Sequence, residues 1–178
     1  GARSLNLFSK KNAVLSVLGG VLGGGMSSRL FQKLREEMGV GYYVRASNDG
    51  YTDHGFFQIS AGVDNKRIYE VISAVLNECK KLKNELVSED ELVKVKECLI
   101  GNMKLSLESS DDIANFHGGQ ELLKREIVSA DKKAEEIRQI SAAQIQALAK
   151  DIFQDKNLNL ALIGPFKKKD KFLKKLKF

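Results

Sequence analysis

The chain has 178 residues, of which 43% are hydrophobic and 29% are charged, with a single proline. This length and composition are typical of one folded globular domain with a sizeable core. No apolar run approaches the ~20 residues of a membrane span, and no basic region followed by an apolar stretch marks an N-terminal secretion signal.

The net charge of +6 is concentrated at the C-terminus. The stretch KKKDKFLKKLKF (Lys167–Phe178) holds seven lysines and one aspartate, which equals the whole excess. The preceding residues are neutral overall and lack the arginine and aromatic stripe typical of nucleic-acid binding, so no nucleic-acid partner is expected. We predict a domain over residues 1–166 and a basic tail over 167–178. The tail is expected to be a solvated, frayed helix, with contact to an anionic surface as the alternative.

Two helices are predicted on either side of a glycine cluster. The first covers Lys11–Leu22 and is stopped by the glycines that follow. The second begins at Ser27 or Ser28, whose hydroxyl can accept a hydrogen bond from the first turn. Gly39 is placed to end this helix in a left-handed conformation.

The period of the apolar residues then changes to two, which predicts a β-hairpin. Its strands are Tyr42–Asn48 and Gly55–Val63, and Asn48-Asp49-Gly50 provides the turn chemistry. A last strand is predicted over Leu158–Ile163, where Gly164-Pro165 stops it.

Cap residues divide the chain between the hairpin and the last strand into helices. The predicted caps are Asp64, Ser88 with Glu91 as a capping box, Ser109 or Ser110, Ser129, and Ser141 with Gln144. The sequence therefore predicts a two-layer α+β domain, a mostly antiparallel sheet with helices on one face. Three strands are few for so many helices.

Two cysteines, Cys79 and Cys98, are predicted to be buried or half-buried free thiols. Two cysteines at this spacing make neither a disulfide framework nor a zinc ribbon. Free thiols favour a reducing compartment, so we expect a cytoplasmic location, or a periplasmic one if the full gene carries a signal peptide.

No catalytic machinery is visible. The glycines after Leu22 follow a helix and lack the lysine of a P-loop and the context of a dinucleotide fingerprint. His54 and His117 are isolated, whereas a zinc peptidase helix needs H-E-x-x-H or its inverted form. No G-x-S-x-G elbow is present, and Ser27 and Ser28 stand at helix-cap positions. We expect no metal site, no cofactor and no catalytic residue in this chain.

A long motif nevertheless resembles a known family. The stretches LGGGMSSRLFQKLREEMGVGYYV (Leu22–Val44) and YTDHGFFQISAG (51–62) are similar to the C-terminal half of the pitrilysin, insulysin and mitochondrial-processing-peptidase zinc metallopeptidases. LSLESSDDIANFHGGQELL, ISAAQIQALAKDIF and NLNLALIGPF also resemble the family. The similarity spans roughly Val14 to Phe166.

The resemblance implies a function in partnership with a second domain. An N-terminal half, or a partner subunit, would supply the H-x-x-E-H zinc site, while this half would bind the peptide substrate and be inactive alone. The matching substrate-binding positions are Arg35 and Tyr42, although Tyr43 stands where the family often has a small polar residue. A catalytically silent pairing subunit of the same family is the alternative.

The resemblance also implies that the domain lacks its first strand. An uncovered strand edge exposes backbone groups that seek partners, so a homo-oligomer through the sheet edge or the helical face is expected. For the glycine cluster two interpretations stay open. The glycines let the chain bend sharply between two helices, or their bare backbone also lies along a peptide path.

Overall fold

A computed structural model describes residues 1–167 and 169–178. In chain order the elements are β1 (Ala2–Arg3), α1 (Asn12–Gly23), α2 (Arg29–Phe31) continued by a π-helical segment (Gln32–Glu37), β2 (Gly41–Gly50), β3 (Gly55–Val63), a 3₁₀ turn (Asn65–Arg67), α3 (Ile68–Asn84), α4 (Glu89–Leu105), α5 (Ser110–Lys124), α6 (Ala130–Arg138), α7 (Ala142–Ile152), a 3₁₀ turn (Asp155–Asn157) and α8 (Asp170–Leu173). The predicted α+β class is confirmed.

The sheet is antiparallel, with the strand order β1-β3-β2. Successive side chains along β3 point to opposite faces of the sheet. Phe57 and Ile59 belong to the core, beneath α1, and the Phe57 ring meets Phe153 edge to face at 5.6 Å. Arg45 and Ser60, on the opposite face, are exposed. The helices therefore cover one face, as predicted, and the other face is polar and open.

The predicted hairpin forms, but its turn lies further along the chain. β2 extends through Asn48-Asp49-Gly50, the residues predicted to form the turn, and these pair with β3. The chain reverses at residues 51–54, where the Tyr51 N–H donates to the His54 carbonyl (2.8 Å). The strands are longer than the turn chemistry suggested because Asn48 and Asp49 have cross-strand partners in Phe57 and Phe56.

The strand predicted over Leu158–Ile163 is wrong. Among the described residues, this segment makes one isolated bridge, between Leu158 and Ala2. The third strand of the sheet is instead β1, which is two residues long and pairs with β3. An extended segment becomes a strand only where a neighbour supplies a hydrogen-bonded ladder. The only neighbour that β1 offers to residues 158–163, among the described residues, is Ala2, which bridges to Leu158.

Side chains begin most helices as the sequence predicts. Oxygen atoms of Asp64, Ser109, Ser129 and Ser141 accept bonds from the following turn, and Ser141 forms a complete capping box with Gln144. The box predicted at Ser88 is half formed: its hydroxyl accepts from the Glu91 N–H, but the Glu91 carboxylate binds Arg29 instead. Ser28 is the N-cap residue of α2, as predicted, but its hydroxyl makes no capping bond and donates to the Gly25 carbonyl (2.6 Å) instead.

The prediction that the C-terminal tail is a solvated, frayed helix is wrong, because part of it packs on the domain. Phe172 is only 6% exposed because it packs against α3, where its ring stacks on Tyr69 at 4.8 Å. The Phe178 N–H donates to Asp155 (2.7 Å), and its ring lies 5.3 Å from that of Phe153. The prediction relied on the many lysines of the tail and overlooked its phenylalanines, which pack against the domain. Lys168 lies outside the described residues.

One glycine of the cluster lets a helix touch the backbone of a strand. A Cβ atom added to Gly23 would lie 2.4 Å from the amide nitrogen of Ala46 in β2. Real Cβ atoms do not approach backbone so closely, so a side chain here would push α1 away from the sheet. Only a residue without a side chain allows α1 and β2 to approach this closely.

We predict that Gly23→Ala lowers the free energy of unfolding by about 1–3 kcal/mol, the usual cost of overpacking a core. Gly118→Ala is the matched control, since Gly118 is exposed within α5 and an added Cβ there would meet nothing within 4 Å. That variant should gain ~0.5–1 kcal/mol from helix propensity. Urea unfolding of both variants measures the effect, and equal stabilities would contradict it.

The docked tail gives a second prediction. Phe172→Ala should lower the free energy of unfolding by ~3 kcal/mol, because it removes a buried aromatic side chain. The adjacent Leu173 is 51% exposed, so Leu173→Ala should stay within ~0.5 kcal/mol. Thermal or urea unfolding compares the two. If both variants match the unchanged chain, the tail does not pack on α3 in solution.

Candidate functional site

Arg35 lies on a π-helical segment rather than on an ordinary α-helix. The segment Gln32–Glu37 follows α2 directly, and its wider turn brings the Met38 N–H to the Lys33 carbonyl (3.1 Å). Such segments are rare and often occur at functional sites. The helix ends at Gly39, whose φ of +62° confirms the predicted left-handed stop.

Buried residues on either side of Gly39 hold this turn against α3. Leu34 and Val40 are 0% and 5% exposed and pack on Val71 and Ala74. The Val40 N–H donates to the Leu34 carbonyl (2.9 Å), which closes the turn. The site residues therefore stand on a fixed base.

Tyr42 is the extra residue of a β-bulge. Gly41 lies opposite Val63 and Tyr43 lies opposite Gly62, so Tyr42 has no partner across the hairpin. Bulges re-aim side chains and are frequent next to binding sites. Tyr42 is 78% exposed, which is high for a large aromatic residue.

The structure brings Arg35 next to Tyr42. The Arg35 Nη1 donates to the Tyr42 carbonyl at 3.4 Å, and Cζ lies 5.3 Å from the centre of the Phe31 ring. The neighbouring Glu37 pairs with Lys33, and no carboxylate of the described residues pairs with Arg35. A guanidinium has five N–H donors, so most of those on Arg35 are open to a ligand.

A charged pair fixes the start of the same helix. Arg29 Nε and Nη2 donate to the two Glu91 carboxylate oxygens at 2.8 and 2.7 Å, which joins α2 to α4. Both side chains are mostly buried, and the bond to Glu91 raises the pKa of Arg29. Such two-pronged pairs are strong and directional. The Arg29–Glu91 pair therefore ties the start of the helix that leads to Arg35 to α4.

The glycine run borders an open groove. A cavity of about 680 Å³ lies between residues 23–25 and β2, with Met26, Phe31 and Tyr43 among the residues that line it. The Met26 side chain is 75% exposed. Two interpretations of the glycine cluster were given, a sharp bend and a peptide path. The contact of Gly23 with β2 accounts for the bend. The groove beside the glycines is consistent with a peptide path as well.

The residues present do not fit a catalytic zinc ion. His54 lies at the hairpin tip and contacts Asp53 at 2.7 Å, whereas His117 lies within α5 and its Nδ1 is enclosed without a hydrogen-bond partner. Nowhere in residues 1–167 and 169–178 do three His, Cys, Asp or Glu side chains converge on one point. No helix in these ranges is long and apolar enough to cross a membrane.

The two thiols have different environments. Cys79 is buried, as predicted, and burial raises the pKa of its thiol to about 12. Cys98 is exposed on α4, so the prediction that it is buried or half-buried is wrong. It occupies the outer side of a helix whose inner side is formed by residues such as Leu92.

Two features of the site had no clear signal in the sequence. The π-helical segment and the bulge at Tyr42 both depend on how the turn packs on α3, which is a non-local constraint. The glycines at positions 39 and 41 were the only local hint, since a bulge and a left-handed stop both favour residues without a side chain.

These features define an α+β domain with an exposed arginine and an exposed tyrosine side by side on neighbouring elements. The sequence model of the peptidase M16 inactive domain matches residues 6–99, which is more than half of the chain. The chain therefore belongs to the peptidase M16 family, as its inactive domain.

Individual relatives agree. An uncharacterized zinc protease of Streptomyces coelicolor is 31% identical over 169 residues, 95% of this chain and 37% of that protein. The uncharacterized zinc protease YmxG of Bacillus subtilis is 32% identical over 165 residues, 93% of this chain and 40% of that protein. The chain thus spans well under half the length of these relatives. A solved peptidase M16 inactive domain from Pseudomonas fluorescens shares the fold, with a TM-score of 0.73 and 21% identity over 88% of this chain and 36% of that one.

The purified chain alone should bind no stoichiometric zinc and cleave no peptide. The physical reason is the ligand set, because His54 and His117 stand on separate elements and a catalytic zinc needs three protein ligands. Elemental analysis and a peptide-cleavage assay test this. About one zinc per chain, lost in His54→Ala or His117→Ala, would contradict the prediction.

Proposed function

We propose that this domain is the substrate-binding, non-catalytic half of a zinc-dependent endopeptidase that acts on peptides. The companion half or partner subunit supplies the zinc and the water that attacks the peptide bond. This chain supplies two groups, the Arg35 guanidinium and the Tyr42 hydroxyl, that bind the backbone of the peptide.

The observation that supports this proposal is an unneutralised arginine beside an unpartnered tyrosine. Arg35 is exposed, lies over the Phe31 ring, donates to the Tyr42 carbonyl, and has no carboxylate partner within the described chain. Glu36 and Glu37 are both close to Arg35 in sequence and could neutralise it. Neither forms a pair with it.

Both groups are hydrogen-bond donors, which determines what they can bind. A peptide carbonyl is an acceptor, and its oxygen becomes more negative as the tetrahedral intermediate forms. Donors held in place before the reaction stabilise that charge without reorganising. The fixed turn beneath Arg35 and the bulge beneath Tyr42 provide this preorganisation.

The test is made in the complete protein, with both halves present. Arg35→Ala and Tyr42→Phe should each lower kcat/KM for peptide cleavage by ~10²–10³, the usual cost of losing one donor to the oxyanion. Bound zinc and melting temperature should stay unchanged. Steady-state kinetics, elemental analysis and thermal unfolding measure the three quantities.

The chain offers matched controls away from the site and its groove. Tyr51 at the tip of the hairpin and Arg125 at the end of α5 are exposed, and neither lines the groove beside the glycine run. Tyr51→Phe and Arg125→Ala should therefore leave kcat/KM within about twofold, an effect below 1 kcal/mol. Full activity in both site variants would refute the assignment of Arg35 and Tyr42. A zinc-loaded complete protein that cleaves no peptide would favour the silent pairing subunit instead.

A further inference from the structure

The docked tail separates its apolar and its basic residues onto two sides. Its apolar side chains pack in one cluster with Ile68, Ile72 and Leu76 of α3, and they are Phe166, Phe172, Leu176 and Phe178. The lysines lie on the outer side. Each of those that the structure describes in the tail is exposed, namely Lys167, Lys169, Lys171, Lys174, Lys175 and Lys177. The aromatic contacts therefore hold six ammonium groups on the surface of the domain.

Two lysines outside the tail extend this basic surface. The Nζ of Lys83, near the end of α3, lies 5.5 Å from the centre of the Phe178 ring. The Phe178 N–H donates to Asp155, and the next residue, Lys156, is exposed. We call the six tail lysines, together with Lys83 and Lys156, the lysine face.

The charge of the lysine face is not neutralised by the domain. Within residues 1–167 and 169–178, no ion pair includes any of its lysines. Two aspartates accompany it, Asp155 and Asp170, and Asp155 accepts the Phe178 N–H. The residues before the tail are neutral overall. The excess positive charge of the chain is therefore gathered on one surface and open to an anionic partner.

An exposed apolar side chain stands among the lysines. Leu173 is 51% exposed, and Lys171 and Lys174 are close to it in sequence and also exposed. Lysines that flank an exposed leucine are typical of segments that lie at the interface of lipid and water, where the leucine enters the headgroup region and the ammonium groups contact phosphates.

We propose that the lysine face binds the surface of an anionic lipid bilayer. The lysines would contact the lipid phosphates, and Leu173 would enter the boundary between headgroups and acyl chains. Clusters of four to eight basic residues are the usual size of such sites. The domain would then lie on the membrane surface. This inference is independent of the Arg35–Tyr42 site.

The aromatic rings of the tail favour a lipid surface over a nucleic acid. Proteins that bind single strands offer exposed rings on which bases stack. Here the rings face the domain: Phe172 stacks on Tyr69, and Phe166 meets Phe172 edge to face at 5.4 Å. The Phe178 ring lies beside that of Phe153. The tail also contains no arginine, the residue that most often reads guanine.

The experiment measures binding of the full chain to vesicles of phosphatidylcholine, with and without phosphatidylglycerol, by co-sedimentation. The chain should bind only the vesicles that contain the anionic lipid, and added salt should weaken the binding. Each lysine near an anionic surface raises the partition coefficient about fivefold. Replacing three of them should therefore lower it ~100-fold, in the variant Lys169→Gln, Lys171→Gln, Lys174→Gln.

A matched variant removes the same charge from another part of the surface. Its substitutions are Lys94→Gln, Lys124→Gln and Lys132→Gln, at exposed positions of α4, α5 and α6, none of which belongs to the cluster beneath the tail. Exposed charges further than ~10 Å from the lipid are largely screened, so this variant should stay within about twofold of the unchanged chain. Both variants should keep its melting temperature.

The variant Leu173→Ala tests the apolar contact separately. It should lower the partition coefficient about three- to tenfold, because a half-exposed leucine gains part of the usual free energy of burial in the bilayer. The same substitution is expected above to leave the stability of the fold unchanged.

Each outcome decides the proposal. Binding that needs phosphatidylglycerol and is lost in the tail variant alone supports it. No binding to the anionic vesicles, or an equal loss in the two triple variants, overturns it. Tighter binding to a single-stranded RNA than to these vesicles, lost with the same three tail lysines, would also overturn it, because the lysine face would then bind a nucleic acid.

Discussion

The contact of Gly23 with the backbone of β2 determines the geometry of the candidate site. The end of α1 and the middle of β2 touch at Ala46, so the chain between them must leave and return to nearly the same place. This closed path holds the glycine turn, α2, the π-helical segment and the bulge. Arg35 and Tyr42 come together because they stand near the returning end of that path. A bulkier residue at its start would move one relative to the other.

Two further interactions fix the path from outside. The Arg29–Glu91 pair joins its first helix to α4, and the packing of Leu34 and Val40 joins its last turn to α3. The site is thus supported at both ends by elements that do not contribute to it. The backbone that carries the two exposed side chains is therefore held against the core on both sides. The Arg29–Glu91 pair also explains the half-formed capping box at Ser88, since Glu91 binds a distant arginine rather than the local backbone.

The sequence predicted what depends on local chemistry. Serine and aspartate caps, the left-handed stop at Gly39 and the period-two alternation of β3 each depend on interactions within a few residues. It failed where the outcome depends on a distant partner. Leu158–Ile163 has the composition of a strand but lacks a ladder, and Phe172 packs on α3 although lysines surround it. Arg35 and Tyr42 were named through the family resemblance, and their bulge and π-helical setting could not have been predicted from spacing.

The two cysteines are natural reporters of different events. Cys98 is exposed on α4, so a reagent reaches it without any opening of the fold. Cys79 is shielded by the core, and its high pKa keeps the nucleophilic thiolate scarce even for a small reagent that reaches it. A reagent added to the folded chain therefore modifies one thiol promptly and the other only when α3 separates from the sheet. The ratio of the two rates measures how often the core opens, without any label introduced into the molecule.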